Sequence, residues 1–309
     1  MLNNSSLNIL LIDPCCASNG ISNNIIPLSV GLIGSYIKKK IPYSNIKILK
    51  KSNDVIKYID ENNLDVIGIC NYLWNTNIAY EISLYARQKN PDTMIIFGGP
   101  EVNKEPIDIQ NFYKKYSHAD MLVEREGELS FVTLISKFIE EGKDRNKIKK
   151  HIEELGNCFF INENKKFISG PNLDRIKHLD DVDSPYILGF FDHFLEAGTF
   201  QPLIQTNRGC PYKCTFCHEG MSYYNKIHYR SLEYVKNELS YIAERVNPPV
   251  GLHIADSNWG MYKQDIEIAY HIRELKEKYK WPMYIHCSTG KSQLPRIIET
   301  AKILDGAVS

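Results

Sequence analysis

The chain has 309 residues, 37 Lys and Arg balanced by 37 Asp and Glu, and 43% hydrophobic residues. That apolar share excludes a mainly disordered chain, and zero formal charge argues against a nonspecific grip on nucleic acid, which needs a basic surface. No apolar run approaches the roughly 18 residues of a membrane span, and the opening MLNNSSLNILLIDPCC lacks the basic region of a secretory signal, so a cytoplasmic chain of about two domains is expected.

Residues 1–145 alternate short apolar runs with helical patterns. Strands are expected at 7–13, 46–50, 65–71, 93–98 and 120–124, mostly near-continuous in Ile, Leu and Val, as strands buried on both faces are. Helical patterns fall near 28–40, 53–62, 75–89, 105–117 and 127–141. Five βα units joined by short loops specify an α/β domain with a doubly wound, flavodoxin-like parallel sheet. Ligands of such sheets lie beyond the carboxyl ends of the strands. Those ends carry Asp13-Pro14-Cys15-Cys16, Asn71-Tyr72-Leu73-Trp74, Gly98-Gly99-Pro100-Glu101 and Glu124-Arg125-Glu126-Gly127-Glu128.

Residues 146–200 break the rhythm. CFFINENKKFISG reads as two short strands around a polar turn, and the stretch holding Asp180, Asp181 and Asp183 reads as a solvated linker. From 201 to 309 the β/α pattern returns, with strands at 202–206, 251–256 and 283–287 and helices near 231–246, 263–278 and 292–304. Ser231 suits the N-cap of the first of these helices, and Glu233 suits its dipole. Only three βα units fit, fewer than a closed parallel barrel needs, so a partial barrel is expected, with the chain a fragment of a longer protein.

The eight cysteines do not make a disulfide-scaffold composition for a chain this long. Three of them stand together in Arg208-Gly209-Cys210-Pro211-Tyr212-Lys213-Cys214-Thr215-Phe216-Cys217-His218, directly after an apolar strand. Three thiolates spaced C-x-x-x-C-x-x-C can wrap one soft metal centre, either an iron–sulfur cluster or zinc. Structural zinc wants four ligands, and His218 abuts Cys217, where consecutive extended residues point apart. A cubane on three cysteines leaves one iron open to a small molecule.

This run resembles the radical S-adenosylmethionine (SAM) superfamily, whose motif is a three-cysteine loop after the first barrel strand with an aromatic residue before the last cysteine, here Phe216. Tyr229-Arg230-Ser231-Leu232-Glu233 and Ile254-Ala255-Asp256-Ser257-Asn258 extend the resemblance. It implies that Cys210, Cys214 and Cys217 hold a [4Fe–4S] cluster whose open iron binds SAM, that Phe216 backs the adenine, and that one-electron cleavage yields a 5′-deoxyadenosyl radical. Asp256 is expected at a strand end, either touching SAM or substrate or capping a helix. His286 and Cys287 occupy the same place on the next strand, where packing is the commoner role.

A doubly wound domain before a radical barrel resembles the cobalamin-binding members of that superfamily. The resemblance implies that Asp13, Asn71, Gly98, Gly99, Pro100 and Glu126 face the corrin, since glycines at strand ends let backbone approach a bulky ring. Asp13 is not followed by the Asp-x-His-x-x-Gly of cobalt-ligating domains, so no His lower ligand is expected. The implied activity is methyl transfer to an unactivated carbon of a small-molecule or natural-product substrate. One SAM would methylate cobalt, a second would supply the radical, and flavodoxin or ferredoxin would supply electrons. Ring rearrangement or oxidation would use the same parts. Two rivals stay open: a methylthiotransferase with a second cluster on N-domain cysteines, and a corrinoid-binding scaffold with an incomplete, inactive barrel.

Overall fold

The computed structural model describes residues 6–15, 17–18, 21–22, 24–103, 106 and 108–305. The chain divides into two compact units, Met1–Asn23 with Ser29–Asp174, and Asn24–Leu28 with Arg175–Ser309.

In chain order the first unit contains β1 (Leu7–Ile12), β2 (Ala17–Ser18), β3 (Ile21–Ser22), α1 (Leu28–Lys40), β4 (Ser44–Leu49), α2 (Ser52–Glu61), β5 (Val66–Cys70), α3 (Thr76–Lys89), β6 (Met94–Gly98), α4 (Ile109–Lys115), β7 (Met121–Val123), α5 (Glu128–Glu140), β8 (Cys158–Ile161) and β9 (Phe167–Ser169). Its main sheet runs β4-β1-β5-β6-β7-β8-β9. The first five strands in that order are parallel, and β8 and β9 are antiparallel. The near-continuous apolar strands VIGIC and MIIFG are buried on both faces because helices cover both. Ile67, Ile95 and Phe97 join Val55, Ile59, Ala79 and Ile82 from the helices in one core. Each large aliphatic or aromatic side chain buried this way contributes about 1.5–3 kcal/mol. Asp120, just before β7, accepts from the Ile95 amide at 2.8 Å and pairs with Arg87 and Arg145 at 2.6 Å each.

The expected hairpin exists, but it extends this sheet rather than standing in a separate 146–200 segment. Phe159 and Cys158 pair with Leu122 and Val123, which covers the backbone groups that β7 would otherwise expose as a sheet edge. The first unit therefore reaches Asp174 rather than stopping at 145. The expected helix at 105–117 is described only as α4, whose N-cap Asp108 accepts from the Asn111 amide at 3.0 Å. Residues 104, 105 and 107 lie outside the described residues, as does Cys16.

The second unit contains α6 (Asp192–Glu196), β10 (Leu203–Ile204), β11 (Asn207–Arg208), β12 (His228–Tyr229), α7 (Leu232–Arg245), β13 (Leu252–Trp259), α8 (Lys263–Tyr279), β14 (Ile285–Thr289) and α9 (Leu294–Ile303). Its sheet, β10-β13-β14, is parallel, and β11 pairs antiparallel with β12. Leu239, Ile242, Ile268 and Ile272 of α7 and α8 and Leu252, Ile254 and Ile285 of the strands are all buried. Ser231 caps α7, accepting from the Tyr234 amide at 3.1 Å.

Two expectations change here. Asp180 is more than a solvated linker residue, because both its oxygens accept from the Ser231 amide at 3.1 Å at the start of α7. The second barrel strand does not end at Asp256 but runs on to Trp259.

Candidate functional site

The cysteine loop leaves β11 through Gly209, whose φ is +110°; a Cβ there would sit 2.3 Å from the Lys226 carbonyl oxygen. Only glycine makes that turn without strain. The Cys210 amide then donates to the Tyr224 carbonyl at 2.9 Å, and the Cys217 amide to the Cys214 carbonyl at 3.1 Å. All three thiols are free; Cys210 is buried, and Cys214 and Cys217 are half-buried.

Two nitrogen donors reach these sulfurs from other strands. Asn258 Nδ2, on β13, donates to Cys210 Sγ at 3.3 Å. Lys291 Nζ, in the turn after β14, donates to Cys214 Sγ at 3.3 Å. The Cys214 hydrogen bond raises the Lys291 pKa above its ordinary value, with smaller pulls from Cys214, Cys210 and Cys217. The turn is docked on the loop, since Tyr212 Oη donates to Ser292 Oγ at 2.6 Å and the Lys291 ammonium lies 5.2 Å from the Tyr212 ring centre.

No three Cys, His, Asp or Glu side chains among the described residues are gathered closely enough to hold a metal ion. The donor set nevertheless fits an iron–sulfur centre. It offers three unpaired thiols on one short loop, with N–H groups aimed at two of the sulfurs. Binding of such a centre would itself supply the ordering that draws the three sulfurs together.

Asp256 lies inside β13 and is buried. Its Oδ1 accepts from the Thr206 amide at 2.8 Å and the Asn207 amide at 3.3 Å, and its Oδ2 accepts from Thr206 Oγ1 and from Asn207 Nδ2 at 2.9 Å. Burial pushes its carboxyl up to about 6. Asp256 thus ties the end of the first barrel strand to the second. The helix-cap role is excluded, because α8 begins only at Lys263. Phe216 is 90% exposed beside Cys217, and the half-buried Cys287 has its thiol raised to about 11, mainly by burial. His286 faces His253 across the β13–β14 pair, ring centres 4.6 Å apart.

In the first unit, the carboxyl ends of β1, β5 and β6 carry the other candidate positions. Gly99 has φ +101°, and a Cβ there would meet the Asn71 carbonyl oxygen at 2.6 Å and its amide nitrogen at 2.9 Å. The Asn71 amide donates to the Gly98 carbonyl at 2.7 Å, so the two strand ends lie side by side. Asn71 Nδ2 donates to Tyr116 Oη at 2.5 Å, while its buried Oδ1 has no partner. Asp13 pairs with the buried Lys50 at 2.7 Å and accepts from Asn75 Nδ2 at 3.2 Å, which engages both its oxygens in bracing strand ends. Beyond β5, Leu73 is 73% exposed, and Trp74, 54% exposed, stacks on Tyr72 with ring centres 4.6 Å apart. Such a flat apolar step at the ligand end of a sheet suits a large ring. Pro100 is exposed and Glu126 half-buried.

Comparisons with known proteins bear on these readings. The chain is 27% identical over 243 residues to the cobalamin-dependent radical SAM methyltransferase TokK of Streptomyces tokunonensis, covering 77% of this chain and 34% of that protein. In sequence the chain is thus similar to a cobalamin-dependent radical SAM methyltransferase. A 2-(S-pantetheinyl)-carbapenam-3-carboxylate methyltransferase of Streptantibioticus cattleyicolor is 25% identical over the same coverage. Among solved structures, OxsB with aqua-cobalamin and SAM bound superposes with a TM-score of 0.68 at 18% identity, over 99% of this chain and 43% of that one. TsrM of Kitasatospora setae with cobalamin and a [4Fe-4S] cluster bound gives 0.67 at 14% identity, over 97% and 57%. The fold is thus that of cobalamin-dependent radical SAM enzymes. No family model matches the chain. The chain spans about a third of the length of the curated relatives named here. Among the described residues, no helix is long and apolar enough to cross a membrane.

Two residues touch the thiols without a role read from the sequence: Asn258, quoted there only within the 254–258 run, and Lys291. Asn258 was readable in part: it follows Asp256 by two positions, so the strand period puts both on one face. Lys291 carries no motif and reaches Cys214 only through the docking of its turn.

Proposed function

We propose that this chain carries the corrinoid-binding and cluster-binding parts of a cobalamin-dependent radical SAM methyltransferase acting on an unactivated carbon. The observation that carries the reading is the three-thiol loop at the end of the first barrel strand, in a chain homologous to TokK. A [4Fe–4S] cluster held by Cys210, Cys214 and Cys217 would supply the single electron that cleaves SAM, and cobalamin on the first unit would supply the methyl carrier. Gly209 lets the loop turn, Asp256 fixes the strand from which it leaves, and Thr206 and Asn207 are held in turn by that carboxylate. On the first unit, Gly98 and Gly99 keep backbone low enough for a ring to approach, and Leu73 and Trp74 would support the ring's apolar edge. Phe216, exposed beside the last cysteine, is available to cover an adenine. The substrate would be a small molecule, as the name of the carbapenam methyltransferase states for that relative. Electrons would come from a flavodoxin or ferredoxin, and free thiols suit a reducing cytoplasm.

The test is anaerobic reconstitution with iron, sulfide and hydroxocobalamin, followed by gel filtration and absorbance. The reading expects both iron–sulfur and corrinoid bands to stay with the protein, and Cys214→Ala to remove only the first. Retained cluster without corrinoid would overturn the cobalamin half; no cluster would overturn the radical half.

A further inference from the structure

We propose that Asn258 and Lys291 are positioning residues that set the reduction potential of the cluster, each by donating a hydrogen bond to one of its cysteine sulfurs. The inference rests on the cluster reading above and goes beyond it, since neither residue belongs to the cysteine motif.

The two donors are built differently. Asn258 is 1% exposed, and its amide nitrogen reaches the buried Cys210 sulfur at 3.3 Å. Its Oδ1 has no partner. In a low-dielectric site a hydrogen bond to a charged acceptor is about twice as strong as a neutral one. Lys291 brings a full positive charge to Cys214 at 3.3 Å from the exposed rim. Its turn is held by Ser292 on Tyr212, and Tyr212 sits between Cys210 and Cys214 in the chain. One residue therefore supplies a buried dipole and the other an exposed charge, on different sulfurs.

The consequence follows from charge. A one-electron reduction of [4Fe–4S]2+ to [4Fe–4S]+ by an external low-potential donor breaks no bond and moves no proton, but adds one negative charge spread over iron and sulfur. N–H donors and a nearby ammonium stabilise the reduced form more than the oxidised one and so raise the potential, a lever known for iron–sulfur proteins in general. Removing either donor makes the cluster harder to reduce.

The experiment is an EPR-monitored redox titration of the reconstituted full chain and of Lys291→Met, Lys291→Arg and Asn258→Ala, each at matched iron content. Lys291→Met and Asn258→Ala are expected to lower the ratio of reduced to oxidised cluster at a fixed poise by about threefold to tenfold, tenfold being ~59 mV for one electron. Lys291→Arg restores the charge and is expected to return most of the shift. Unchanged midpoints in cluster-loaded Lys291→Met and Asn258→Ala would overturn this inference alone. Failure of the unaltered chain to take up a cluster would overturn the reading beneath it. Should Asn258→Ala not fold, Lys291 decides, because its side chain is exposed and Ser292 still holds the turn on Tyr212.

Discussion

Glu238 on α7 offers a quantitative check on the second unit. Its side chain is 3% exposed, and its Oε1 accepts from Ser184 Oγ at 2.5 Å. The nearby Arg230 spends its guanidinium on the Leu179 and Val182 carbonyls and lies 4.0 Å from the Tyr234 ring centre. Burial wins over both the Ser184 hydrogen bond and the Arg230 charge, and pushes the Glu238 carboxyl up from 4.5 to about 7. Because the folded value lies above the unfolded one, the folded state holds the proton more tightly. That stabilisation is complete below about pH 4.5 and is lost as pH rises through about 7. At roughly 1.4 kcal/mol per pH unit, the difference amounts to ~3 kcal/mol. Glu238→Gln keeps the shape and the acceptor for Ser184 but cannot ionise. Chemical denaturation is expected to give variant and parent similar stability near pH 5, with the variant ahead by ~3 kcal/mol near pH 8.5. Asp256 and Asp265, raised by burial to about 6 and about 7, weaken both proteins alike as pH rises and cancel in the comparison. A parent at least as stable as the variant near pH 8.5 would refute the reasoning, since the Arg230 charge would then outweigh the cost of burial.

Three further outcomes follow from the same geometry. Gly99→Ala combines a positive φ with a Cβ 2.6 Å from the Asn71 carbonyl oxygen, and is expected to cost about 2 kcal/mol or more, seen as a lower denaturation midpoint and weaker corrinoid retention; unchanged stability would contradict it. Asp256→Ala strands four donors from Thr206 and Asn207 and is expected to cost about 3–5 kcal/mol in denaturation; a cost under about 1 kcal/mol would show that water replaces the carboxylate. Trp74→Ala removes an exposed ring stacked on Tyr72, so stability is expected to fall by under ~1 kcal/mol while equilibrium dialysis shows weaker cobalamin binding; unchanged binding would remove Trp74 from the corrin face.

What was legible in the sequence had a local physical cause. The strands of the first unit announce themselves because helices on both faces force VIGIC and MIIFG to be apolar throughout. Ser231 announces a helix start because an unpaired amide needs a nearby acceptor. The cysteine spacing is legible because all three thiols stand on one short loop. What was not legible depends on partners far apart in sequence. The hairpin at 158–169 looks free-standing until β7 presents an edge for it to cover. Asp256 reads as a terminal carboxylate, for a ligand or for a helix cap, and its bonds to Thr206 and Asn207 are not visible in the sequence. Asp13 likewise reads as a ligand-facing acid, yet Lys50 and Asn75, 37 and 62 positions away, engage it. Lys291 reaches Cys214 across 77 positions through a docked turn that no local pattern encodes.

The most direct test of the whole account is the metal content of the anaerobically reconstituted chain, with iron and cobalt counted against protein after removal of unbound material. The account predicts about four iron atoms and one cobalt per chain, with iron lost and cobalt kept when Cys210, Cys214 and Cys217 are replaced together by Ala. Twice that iron without cobalt would favour a two-cluster methylthiotransferase, and cobalt without iron would leave only a corrinoid-binding scaffold; either result would contradict the account.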